Sequence, residues 1–150
     1  MKDKNKEKLE FMDWNECKKS FIRNIEVDNE KINSIIKVAF NRLNFIKDLE
    51  VNEISVSFIF EDYYEIIKEL LIALLMKKGL RSKNHQCLIT YFYKNYPNYG
   101  FEANLILRMS YLRNRLEYYG ETVDIGFYKK YNKDFLRIIE IIEKLIKELN

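Results

Sequence analysis

Apolar positions recur every three or four residues along most of the chain. Ile32, Ile35, Ile36, Ala39, Phe40, Leu43 and Ile46 form one stripe, which predicts an amphipathic helix from an Asp28 N-cap to about Glu50. Phe127, Tyr131, Phe135, Ile138, Ile142, Leu145 and Leu149 form another, capped by Thr122 or Asp124 and running to the C-terminus. Between them, residues 63–78 are dense in Ile and Leu around much of the helical circumference and stop at Gly79 behind two lysines, which predicts a central buried helix. Ile54, Val56, Phe58 and Phe60 alternate, a short strand pattern when taken alone; the competing reading caps a helix at Ser55 or Ser57, with Glu61 and Asp62 in its first turn. Residues 13–25 predict a short helix carrying Trp14, Cys17 and Phe21. Residues 80–84 read as a basic polar loop. Residues 85–95 form a helix ended by Tyr96-Pro97-Asn98, and residues 101–119 one closed by Gly120. The expected fold class is all-α, an antiparallel bundle of five or six helices joined by short loops. Residues 1–27 are a charged tail and short helix, residues 28–150 the bundle, and the whole is a single domain.

Composition narrows the chemistry. The chain has 150 residues, with only 4 glycines and 1 proline, so a many-stranded β fold is disfavoured. A net charge of +3 from 26 basic and 23 acidic residues is too balanced to predict nucleic-acid binding by itself. The longest strong apolar run is residues 70–76, far short of the roughly 20 residues of a membrane span. Two cysteines, Cys17 and Cys87, without a CxxC spacing, point to a reducing cytoplasm rather than a disulfide framework. The single histidine, His85, rules out a histidine-rich metal site within one chain, and no cofactor is expected. The glycine signatures of dinucleotide, P-loop and hydrolase-elbow sites are absent.

Two segments carry a family resemblance. The first runs from Phe60-Glu61-Asp62-Tyr63-Tyr64 through Lys77-Lys78-Gly79-Leu80-Arg81-Ser82-Lys83-Asn84-His85; the second is Leu112-Arg113-Asn114-Arg115-Leu116-Glu117-Tyr118-Tyr119-Gly120. The first resembles the central helix and following basic loop of HEPN domains, and the second their Arg-Asn signature late in a subsequent helix. The resemblance spans about residues 28–149. It implies a helical bundle that commonly dimerises, and in many members a metal-independent RNase whose motif is an arginine followed, after four to six residues, by histidine. Small prokaryotic members include toxins and partners of a minimal nucleotidyltransferase, which in some pairs adds AMP to a tyrosine near the motif. Here the positions for the motif histidine hold Tyr118, Tyr119 and Gly120. The resemblance therefore implies a homodimeric interaction or regulatory module with a degenerate RNase motif, paired with a minimal nucleotidyltransferase in a toxin–antitoxin type system. The alternative is an active endoribonuclease using Arg113 at a dimer cleft.

The residues have their own readings. Arg113 is either a bidentate phosphate clamp or the i,i+4 partner of Glu117. Asn114 is unfavoured inside a helix, which either a cleft-facing hydrogen bond or fraying near Gly120 explains. Glu117 becomes a base only if burial raises its pKa. Tyr118 and Tyr119 are poor bases, with phenol pKa near about 10, but at a fraying helix end they are reachable acceptors for an adenylyl group, whose phosphate would face Arg113 and Arg115. Arg81 and Lys83, with Lys77 and Lys78, could contact an RNA backbone or serve only as helix-terminal charges. His85 is expected to open its helix with its ring bonded to the preceding loop. Being two residues from Cys87, it cannot form a nucleophile–base pair with it. Tyr91, Tyr93, Tyr96 and Tyr99 gather at one helix end, as a core edge, an interface or a stacking surface.

Overall fold

The computed structural model describes residues 9–150; residues 1–8 of the expected charged tail lie outside the described residues. Six α-helices follow in order: α1 Trp14–Ser20, α2 Asn29–Ile46, α3 Val56–Lys77, α4 His85–Asn95, α5 Gly100–Tyr119 and α6 Ile125–Glu148. A 3-10 turn, Pro97–Tyr99, joins α4 to α5. Two short strands, β1 Ile22–Asn24 and β2 Leu80–Ser82, pair antiparallel, with Arg23 opposite Arg81.

Local chemistry accounts for most boundaries. Asp13, Asp28, Asn84 and Asp124 each cap a helix by accepting from a backbone N–H two or three residues on. Gly79 and Gly120 have φ of 73° and 65°, the left-handed backbone that closes α3 and α5. Ile54 to Phe60 is helical from Val56, not a strand. The Asn52 carboxamide oxygen accepts from the N–H groups of Ile54 and Ser55, and a turn held this way feeds a helix. Ser57 instead faces the interior and accepts from the Val123 N–H at 2.9 Å, fixing the α5–α6 connection to the first turn of α3.

α3 is the axis of the molecule. Fourteen of its 22 residues are buried, and α2, α4, α5 and α6 all pack on it. Lys77 reaches Asn29, while Arg42 bridges Asp62 and Glu69, so α2 and α3 run antiparallel. Phe60 packs edge-on against Phe127 and Phe135, and Tyr63 against Tyr128. Those contacts join the N-terminal halves of α3 and α6, so these two run in the same direction, an exception to the antiparallel expectation. α5 opposes both: its C-terminal half meets Tyr64 of α3, and Glu102 near its start meets Arg137 of α6.

Three expectations are corrected. Residues 80–84 are not a free loop, because β2 takes up residues 80–82. The first helix stops at Ser20, because residues 22–24 pair with β2 instead of continuing the turn; the Lys83 N–H donates to Phe21 and the Ile25 N–H to Gly79. Three-residue strands carry too little pattern to stand out in sequence. The cysteines, expected to be unpaired, form a disulfide linking α1 to α4. Both are fully buried. A pairing 70 residues apart has no spacing signature, since the tertiary fold alone brings the two together. In addition, α2 ends at Ile46, short of Glu50.

Candidate functional site

One open cleft of 310 Å³ lies where α4 and α5 meet the strand pair. Lys83, Asn84 and His85 border it from the β2–α4 junction, and Arg113, Asn114 and Tyr118 from α5. The two segments singled out in the sequence therefore meet at one place. Helical spacing explains the α5 side: residues 110, 113, 114, 117 and 118 share one face.

Arg113 is the best-defined group. Its Nη1 forms an ion pair with Glu117 at 2.7 Å, and its guanidinium carbon lies 5.9 Å from the centre of the Tyr64 ring. Its Nε–H is buried with no hydrogen-bond partner. A buried, unpaired guanidinium donor is costly. The i,i+4 pairing with Glu117 is therefore present, while the Nε–H has no partner.

His85 opens α4 as its first residue, and Asn84 makes the cap, accepting from the Gln86 N–H at 2.8 Å. The imidazole pKa is held below its ordinary value, first by desolvation, then by Lys68, against Glu65, with Arg113 adding the smallest lowering effect. The cleft therefore presents a neutral imidazole beside a guanidinium at neutral pH.

Four residues of the cleft were not anticipated. Phe21 forms a wall from the α1–β1 junction. Tyr64 is buried and its phenol pKa is raised, chiefly by desolvation, against the hydrogen bond to Ser110 and the Arg113 charge. Ser110 is buried and accepts from Gln86 Nε2 at 2.6 Å, tying α5 to α4. The place of Ser110, three residues before Arg113, is the signal that would have found it; Phe21 and Gln86 have none.

Other expected site residues lie elsewhere. Glu117 is half-exposed and bound to Arg113, not buried as a base would require. Tyr118 borders the cleft at 72% exposure; Tyr119 instead stacks under Arg115, whose guanidinium carbon is 4.2 Å from its ring centre. Arg115 also pairs with Glu121 and contributes nothing to the cleft lining. Arg81 borders separate hollows over Ile72 and Met76. The helix carrying Tyr118 and Tyr119 stays regular to Tyr119, so their exposure comes from facing outward rather than from fraying. The tyrosine group at the end of α4 is a core edge: Tyr91 tilts against Trp14, Tyr93 stacks on Phe11, and Phe92 is flanked by Tyr96 and Tyr99.

Among the described residues, no group of three or more His, Cys, Asp or Glu side chains is placed to hold a metal ion. No helix among them is long and apolar enough to cross a membrane. Comparison with known proteins returns no match to any family model, curated protein or solved structure.

Proposed function

We propose that the chain is a HEPN-like helical module that binds single-stranded RNA by a backbone phosphate in the α4–α5 cleft. The observation that supports this is Arg113, a guanidinium whose Nε–H has no partner, lining a cleft with the cationic Lys83 and the protonatable His85. Such a donor beside two cationic or protonatable groups suits a phosphodiester oxygen. In this reading the module regulates rather than cleaves, as the partner of a minimal nucleotidyltransferase in a toxin–antitoxin type system, with exposed Tyr118 as the phenol an adenylyl group would occupy beside Arg113. A twofold homodimer belongs to the same reading. The surface that favours it is at the Ser57–Val123 end of the bundle, where Ile54 and Phe58 are 80% and 65% exposed.

The test is fluorescence anisotropy with a labelled mixed-sequence RNA at low and moderate salt. Salt-dependent binding that falls at least tenfold in Arg113→Ala is expected. Salt-independent or absent binding overturns the reading.

One observation favours a second reading, a metal-independent endoribonuclease: the neutral His85 imidazole stands in the same cleft as Arg113. Incubation with RNA in excess EDTA separates the two. Binding without cleavage is expected. Saturable cleavage abolished by both Arg113→Ala and His85→Ala would replace the first reading with the second.

A further inference from the structure

A second hollow, of 440 Å³, lies directly beside the cleft. Gln86, Ser110 and Asn114 border both, so the two are neighbouring compartments of one groove, divided by the Gln86–Ser110 hydrogen bond. Their chemistry is opposite. Among the described residues, the cleft has Lys83, His85 and Arg113 and no acidic residue in its lining. Among the described residues, the second hollow has no cationic residue in its lining and one carboxylate, Glu10; Leu9, Leu107 and Tyr111 give it apolar and aromatic walls.

Such a pair fits a ligand with an anionic group at one end and, a short link away, a flat ring that donates hydrogen bonds. A phosphate needs donors and cations; a carboxylate acceptor repels it. A carboxylate at the edge of a hollow with an aromatic wall instead suits a nucleobase that offers two adjacent donors. Guanine does so with N1–H and the exocyclic N2 amino group. Adenine and cytosine place an acceptor next to their amino group, and uracil flanks its N3–H with two acceptors. Stacking on an aromatic side chain and reading of the Watson–Crick edge is how unpaired bases are commonly recognised.

We infer that this hollow is a guanine subsite, with Glu10 accepting from N1–H and N2 and Tyr111 stacking on the ring, while the neighbouring cleft holds the nucleotide's phosphate. The inference rests on the proposed phosphate-binding role of the cleft and adds base identity to it. Gln86 and Asn114, shared by both compartments, are placed to meet the ribose between them. The ligand is a guanine nucleotide, either free or within an RNA strand.

The experiment uses the full chain and four labelled uridine heptamers whose central residue is G, A, C or U, read by anisotropy. The G heptamer is expected to bind about tenfold more tightly than the others, the scale of discrimination of one bidentate contact. Glu10→Gln should remove that preference and leave the U heptamer unchanged. Arg113→Ala should weaken all four together. Competition with guanosine 5′-monophosphate distinguishes the sources: Glu10-dependent displacement assigns the free nucleotide as sufficient, and no displacement while the G heptamer retains its preference assigns the strand. Equal affinity for all four heptamers, or equal weakening of all four by Glu10→Gln with an unchanged thermal melt, overturns the guanine subsite and leaves the phosphate site standing. Absence of binding to any heptamer overturns both.

Discussion

α3 and α5 are of similar length, 22 and 20 residues, and pack against each other, yet they are built on different rules. α3 is apolar on nearly every side and buries Phe60, Ile66, Ile67, Leu70 and Leu74 completely. α5 buries a comparable apolar face only in its first half, through Ala103, Ile106 and Met109; its second half turns Ser110, Arg113 and Asn114 toward α4. Apolar side chains would pack there at no desolvation cost. Polar ones held half-buried, with Arg113 Nε left unpaired, weaken the local packing. A region that departs from the consistent pattern of the rest is where function is expected to lie. The contrast separates a helix built for stability from a half-helix where stability is given up to present donors.

The contrast breaks most sharply by attacking the stable side. Phe60 is fully buried against Phe127 and Phe135. Phe60→Ala is expected to cost toward the upper end of about 3–5 kcal/mol in urea unfolding, through lost burial and a residual cavity. RNA affinity of the folded fraction should stay as in the parent. A cost below about 1 kcal/mol would mean that the aromatic cluster around α3 is not the core.

Next in size is the link between the two sides. The Cys17–Cys87 disulfide closes a loop of 70 residues and holds α1 against α4, and the same segment supplies Phe21 to the cleft. Chain-entropy arguments give about 4 kcal/mol for a loop of this length. The double variant Cys17→Ser, Cys87→Ser should lose that stability and also weaken RNA binding, because Phe21 and the Lys83 N–H bond to it lose their anchor. Equal melting of oxidised protein and the double variant would remove the disulfide from the account.

Much of this was legible in the chain, and the gaps have physical causes. The caps at Asp28 and Asp124, the stops at Gly79 and Gly120, and the buried character of residues 63–78 are local properties, read from residues within a few positions of one another. The two short strands and the disulfide are pairings across 56 to 70 residues, and neither side of such a pair marks its partner. At the site, Arg113, Asn114, Tyr118, Lys83 and His85 were all marked and do meet. Arg115, Tyr119 and Arg81 were marked by proximity in sequence and point elsewhere, because neighbours on a helix or strand face different ways. Phe21 and Gln86 were missed because their role comes only from the packing of α1 and α4.

On the polar side, Arg113→Lys sharpens the comparison. The Arg113–Glu117 pair lies partly exposed within one helix, so its loss should alter stability by only about 0.3–0.5 kcal/mol. RNA affinity should fall roughly tenfold, because an ammonium cannot supply the fixed fork of the guanidinium. Loss of stability without loss of affinity would make Arg113 part of the scaffold.

The smallest effect, and the most diagnostic, is the response of His85 to acid. Desolvation first, then Lys68 and, least, Arg113, against Glu65, hold its folded pKa below the ordinary 6.5. Between that ordinary value and the lowered one, the unfolded chain carries a proton on this residue that the folded chain does not. Stability from this group is therefore present above pH 6.5 and is lost as pH falls through the folded pKa. RNA affinity should move the opposite way, since protonation adds a third cation next to Lys83 and Arg113. Over the same acidic window the protein should thus melt earlier yet hold RNA more tightly. His85→Gln, which keeps a polar side chain without the titration, should flatten both curves relative to the parent. If the His85→Gln variant instead follows the parent in affinity across the window, the imidazole does not face the bound phosphate. The α5 side of the cleft, with Arg113, then carries the anion alone.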